Sequence, residues 1–203
     1  MSTNGPMLGE PLPVELMNTI WADRDGVHDT LDSVDGVRGW LTDIAVRTLV
    51  STSNIKTLSD SDVGAATVSL RVLRDALRRL AAETTGDPRP DERSPTMNLT
   101  DAVALLNAAA AATHRWTSLN WTTDTSPSMS VHASDNVGRA ITTAIAEEAI
   151  ELFAGEGKAL LRACLAPGCV LYFLKSHPRR EWCSPGCGNR ARVARHYARH
   201  GQR

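Results

Sequence analysis

All four cysteines of this 203-residue chain lie between positions 164 and 187, spaced as Cys164-x4-Cys169-x13-Cys183-x3-Cys187. Two close pairs separated by a loop allow each pair to sit on its own tight turn. Four thiolates at about 2.3 Å then complete a tetrahedral Zn²⁺ shell with no open position, which implies one structural ion and no catalytic one. Ala166-Pro167-Gly168 and Ser184-Pro185-Gly186 supply the Pro-Gly residues that such reversals need. Two disulfides, or scattered free thiols, are the alternative. They suit poorly a chain whose first 163 residues hold no cysteine and whose polar start, Met1 to Glu10, lacks a charged segment followed by an apolar core.

The net charge of −1 conceals a division along the chain. Residues 158–203 contain ten Lys or Arg and one acid, Glu181, leaving twelve bases against twenty-two acids in residues 1–157. That asymmetry marks a polyanion-binding end on an acidic body, the plainer alternative being a basic tail that only neutralises the body or the tetrathiolate. No run approaches the eighteen or so apolar residues that a membrane span requires. The expected location is a reducing cytoplasm, where clustered thiols bind metal in preference to pairing.

Periodicity predicts a mainly helical body. Ser33 is expected to cap a helix with Val37, Trp40, Leu41 and Ile44 on one face, and residues 48–57 to form a loop. The strongest helix places Val63, Ala66, Leu70, Leu73, Leu77 and Leu80 in one stripe, with Ser61 as its cap and Arg71, Arg74, Arg78 and Arg79 read as a solvated face. Residues 86–95 read as an exposed loop. Further helices are expected from Asp101, capped by Thr100, and from Asn136 to Phe153, capped by Ser134 or Asp135, with a hairpin between them around Asp124-Thr125-Ser126-Pro127. The fold class is α+β, mainly helical: a domain over residues 1–157 with a small antiparallel hairpin, then a four-cysteine module with a basic helix over residues 158–203.

A helix opening at Gly188 or Asn189 would set Arg192, Arg195, His196, Arg199 and Arg203 along one side, with Val193 and Tyr197 turned toward the module. A row of guanidinium groups on a helix suits the major groove of DNA, and Lys175, Arg179 and Arg180 on the zinc-bridged loop would hold the flanking backbone. Asn189 and Arg190 are candidates to donate to the thiolate sulfurs. The tryptophans Trp21, Trp40, Trp116 and Trp121 are either core or, with Asn18, His114 or Asn120, the walls of a small-molecule pocket. No phosphate loop, nucleophile elbow or H-E-x-x-H occurs, so no enzyme is expected.

The segment from Cys164 to about His200, with Cys187-Gly188-Asn189-Arg190 and the preceding Trp182-Cys183-Ser184, resembles the CGNR zinc-finger family. The opening Glu10-Pro11-Leu12 through Asn18-Thr19 and Trp21-Ala22-Asp23-Arg24-Asp25-Gly26 is similar to that of the ABATE domain that accompanies it. Many CGNR members have one more residue between the third and fourth cysteines, and an acid where Leu174 or Lys175 stands here. The resemblance implies a bacterial, stress-induced transcription regulator: a zinc module that binds DNA and a body that senses a small-molecule effector or mediates assembly, for instance as a homodimer. A module that contacts RNA polymerase or a sigma factor, without reading DNA, is the alternative, and RNA is a third polyanion.

Overall fold

The computed structural model describes residues 5–48, 52–89 and 97–200. Its centre is the short helix α1 (Leu12–Met17), started by Pro11 and Pro13 flanking Leu12, with every residue buried. A helix apolar on nearly all sides has to be enclosed. Against it pack α4 (Asp60–Thr85) and α6 (Val137–Ala154), and α2 (Val34–Thr48) and α5 (Leu99–Ala110) complete the same core. The orphan amide of Leu12 donates to Glu148 Oε1 on α6 at 3.0 Å, fixing the start of α1 against that helix.

Between α1 and α2 lies a hairpin, β1 (Ile20–Asp23) with β2 (Gly26–Asp29), turned at Gly26 with φ of 130°. A second antiparallel pair, β3 (Arg115–Asn120) and β4 (Ser128–Ala133), carries the predicted hairpin between α5 and α6. A third, β5 (Leu161–Ala163) and β6 (Tyr172–Leu174), opens the cysteine-bearing segment, which ends in α7 (Pro185–His200). The architecture is therefore helical with small antiparallel sheets, the class expected. No helix among the described residues is long and apolar enough to cross a membrane.

Several local expectations are corrected. Residues 52–56 form a short helix, α3 (Thr52–Lys56), because Ile55 is drawn fully into the core. Ser59, not Ser61, caps α4: it accepts from the Asp62 amide at 3.1 Å while Asp62 reaches back to the Ser59 amide, a reciprocal box that Ser61 stands two residues too late to make. Asn98 and Asn136 likewise cap α5 and α6 in place of Thr100, Ser134 and Asp135. The arginines of α4 are not a uniform solvated face. Arg74 and Arg78 are 4% and 1% exposed, Arg74 gripping both carboxylate oxygens of Asp29 on the first hairpin. Among these tryptophans Trp40 is core, whereas Trp116 stacks between His114 and His132 on the outer hairpin and Trp121 is exposed, so the four do not gather around one shared pocket.

Where α6 passes α4, a methyl group on Gly138 would stand 2.8 Å from Ala66 Cβ. Glycine there is a packing requirement.

Candidate metal centre and basic helix

The two cysteine turns are built locally. Cys169 N–H donates to Ala166 O at 2.9 Å, closing the first turn, and Gly168 takes φ of 73°, a left-handed value that favours glycine. In the second, Ser184 Oγ accepts from the Cys187 amide at 3.2 Å with Pro185 following, so α7 begins at Pro185 and already contains Cys187. The helix thus starts three residues ahead of the expected Gly188, and the last cysteine is clamped by helical geometry.

All four thiols are buried and free, and their sulfurs lie within 4.8 Å of one another. Cys169 and Cys183 sulfurs are 3.8 Å apart and Cys183 and Cys187 sulfurs 3.4 Å, far beyond a disulfide bond. A tetrahedron with metal–sulfur bonds of about 2.3 Å has edges of about 3.8 Å, so the donor set fits Zn²⁺ in number, type and spacing. Without a cation the thiols cannot all ionise. Hydrogen bonds from Cys169 and Cys183 hold the Cys164 thiol low, while the bond with Cys164, helped by burial and opposed by Cys183, pushes Cys169 up to about 12, and the bonds with Cys164 and Cys169 push Cys183 up as well. A divalent ion at the centre would remove that conflict.

Around the sulfurs, Arg190 Nη2 donates to Cys187 Sγ at 3.0 Å. Burial opposes its charge, but the bond to Cys187 and the adjoining thiols raise the guanidinium pKa above its usual value. Asn189 bonds Arg192 through Oδ1 and contacts no sulfur among its described hydrogen bonds.

The other basic residues separate into groups. Arg192, Arg195, His196 and Arg199 are exposed on α7. Arg203 lies outside the described residues. Val193 and Tyr197, expected to face the module, are instead 54% and 69% exposed, because α7 beyond Ala191 leaves the body. On the loop, Arg179 is exposed and Lys175 half-buried. Arg180 turns inward: it pairs with Glu10, donates to the carbonyls of Leu174 (3.0 Å) and Cys183 (3.2 Å), and stacks on Phe173.

The body grips the cysteine module through residues that sequence patterning assigned elsewhere. Asn18 pairs with the Tyr172 backbone, donating from Nδ2 to its carbonyl and accepting its amide at Oδ1, both at 2.9 Å. Glu10 Oε2 accepts the Leu174 amide at 2.9 Å. Arg78 donates to Met17 O and Val170 O, and its burial lowers its pKa to about 10. Arg89, in the segment read as an exposed loop, donates to the carbonyls of Cys169 (3.2 Å) and Leu171 (3.3 Å) and lies over the Tyr172 ring, whose hydroxyl donates to Asp87. Leu161 and Tyr172 complete the body's core, while Leu8, Ile20, Trp21 and Ala22 pack against the cysteine cluster. These partners are separated by up to 164 positions, beyond any local pattern.

Fold and site together define a helical protein with a tetrathiolate metal module that projects a basic helix. The chain belongs to the ABATE family, described as "Putative stress-induced transcription regulator", whose model matches residues 10–156, and residues 161–200 match the CGNR zinc finger. No curated protein matches it.

Proposed function

We propose that this protein is a transcription regulator that binds one structural Zn²⁺ through Cys164, Cys169, Cys183 and Cys187 and contacts DNA through α7. The observation that carries the reading is the exposed row of Arg192, Arg195 and Arg199, which follow one another at three and four residues along a helix anchored at Cys187. Zinc supplies the fixed joint, and Arg190 offsets thiolate charge. The arginines then meet phosphates or guanine edges without first ordering the helix. No catalytic role is proposed. A cavity of about 410 Å³ between β4, α6 and residues Thr48 and Asn54 supports an effector site in the body, since small-molecule pockets run from about 300 to 1,000 Å³.

The test is binding of duplex DNA at several salt concentrations by Arg192→Ala, Arg195→Ala and Arg199→Ala variants. Each lost phosphate contact should reduce the slope of log K against log salt by about 0.9. A flat salt dependence, or unchanged slopes in all three variants, rejects the reading.

Exposed Val193 and Tyr197 on the other side of α7 favour a second reading, in which the helix docks on a protein such as RNA polymerase or a sigma factor. Selection from random duplexes separates the two: an enriched motif supports DNA readout, and no enrichment with loss of a protein contact in Tyr197→Ala supports docking.

A further inference from the structure

The β5–β6 hairpin has two faces because side chains alternate along each strand. Leu161, Ala163, Tyr172 and Leu174 pack into or against the body's core. The opposite face carries the cross-strand pair Arg162 and Phe173, then Lys175 two residues on. With Leu165 from the first cysteine turn and Trp182 before the third cysteine, they bound a cavity of about 260 Å³, with Glu181 also in its lining. Phe173 is 1% exposed and forms the floor together with the Arg180 guanidinium that lies over its ring, and Trp182 is a half-buried aromatic wall.

The charges are positioned and uncommitted. Arg162 Nη1 donates to the carbonyls of Ala159 at 2.8 Å and Leu161 at 2.7 Å, which holds the guanidinium in place while leaving its Nη2 and Nε free of those bonds. Neither Arg162 nor Lys175 has an ion pair among the described residues, whereas Arg180, the third cation, is committed to Glu10.

The cavity also adjoins the arginine row. A Cβ built on Gly188 of α7 would meet the Trp182 ring at 3.1 Å and Arg192 Nη1 at 3.7 Å. On a helix of 3.6 residues per turn, Gly188, Arg192, Arg195 and Arg199 share one side. Trp182 therefore stands at the start of the face that carries the arginines, and the cavity lies beyond it. An aromatic wall next to two unpaired cations is the combination that holds a planar base and its phosphate.

We propose that this cavity takes one unpaired nucleotide of DNA, its base against Trp182 and its phosphate between Arg162 and Lys175, while α7 holds the adjoining duplex. The inference rests on the reading of α7 as a DNA-binding helix, and it makes the target a junction between paired and unpaired strands.

The test uses the zinc-loaded full chain with three probes: a fully paired duplex, the same duplex with a short single-stranded overhang, and the overhang strand alone. Stacking of one base corresponds to about tenfold in affinity, so the overhang duplex should bind about tenfold tighter than the paired one. In Arg162→Gln, at an exposed position, and Lys175→Gln, at a half-buried one, that ratio should fall toward one, and Trp182→Leu should act likewise. Trp182→Phe, which keeps a ring should Leu disturb the fold, should retain part of it. Arg195→Ala should weaken both duplexes and keep the ratio. A ratio near one in the unaltered protein, or one unchanged in Arg162→Gln and Lys175→Gln, overturns the pocket while leaving duplex binding by α7 standing. Absence of duplex binding overturns the α7 reading. Binding of the lone strand that depends on Arg162 and Lys175 would then still support the pocket, and its absence would end that too.

Discussion

Replacing Asn18 by Ala measures how firmly the metal module is joined to the body. Asn18 is 2% exposed, and its amide satisfies both the N–H and the C=O of Tyr172 at 2.9 Å. Tyr172 is the first residue of β6 and is itself fully buried, so truncation strands two main-chain polar groups away from water. Each orphaned group costs about 1–3 kcal/mol, and partial access of water to the space vacated brings the expected total to about 3 kcal/mol. For a chain of this size a loss of about 3 kcal/mol lowers Tm by about 6–12 °C. Thermal unfolding of the zinc-saturated protein, followed by circular dichroism, reads this directly. Asn18→Asp is the control. Its carboxylate keeps the acceptor for the Tyr172 amide but aims a negative charge at the carbonyl, so it should destabilise at neutral pH and recover in mild acid, where a protonated carboxyl regains the donor. A drop in Tm below about 2 °C for Asn18→Ala, with no pH dependence in Asn18→Asp, would refute the reasoning.

Native mass spectrometry should find one zinc ion per chain, and Cys183→Ser, or strong chelator, should unfold the cysteine module, since zinc contributes about 10–16 kcal/mol of apparent folding free energy in finger peptides. Asp87 is one pH-sensitive element: burial works against its charge, but hydrogen bonds from Arg89 and Tyr172 prevail and hold its carboxyl below the ordinary value of 3.8. A depressed carboxylate stabilises the fold above its unfolded pKa and loses that contribution as pH falls through the folded one. Asp87→Asn should therefore unfold more easily at pH 7 and show a shallower loss of stability below about pH 4, as acid titration monitored by fluorescence would reveal. Ser59→Ala, which removes the cap of α4, should cost about 1 kcal/mol in chemical denaturation. Gly138→Ala should cost about 1–3 kcal/mol by overpacking against Ala66, two helix backbones having little freedom to part.

The metal centre was legible because its information is local: four cysteines, two Pro-Gly turns and a basic tail within 46 residues of chain. The stripe of α4 and the outer hairpin were equally visible, their periods being properties of short segments. The misread charges share one origin. Arg74 and Arg78 read as solvated because a helical wheel shows charge but not Asp29 or the carbonyls of Met17 and Val170, which reach them from distant segments. Arg89 and Asp87 lie in the loop expected but read as exposed because their partner, Tyr172, lies 85 positions from Asp87. Caps were misplaced by one or two residues, since several Ser, Thr and Asn stand near each helix start and only backbone geometry selects among them.

The grip of the body on the cysteine segment bears on how this finger can be reused. The carbonyls of Cys169, Val170, Leu171 and Tyr172 all point to donors on Arg89, Arg78 and Asn18, and the Leu174 amide to Glu10. Cut out as a peptide, the segment would carry its ligands but bare these groups to solvent, and grafted onto an unrelated host it would meet none of their acceptors and donors. Recombination is thereby constrained to exchange the two parts together, so the module behaves as a fixture of one scaffold and not as a portable cassette.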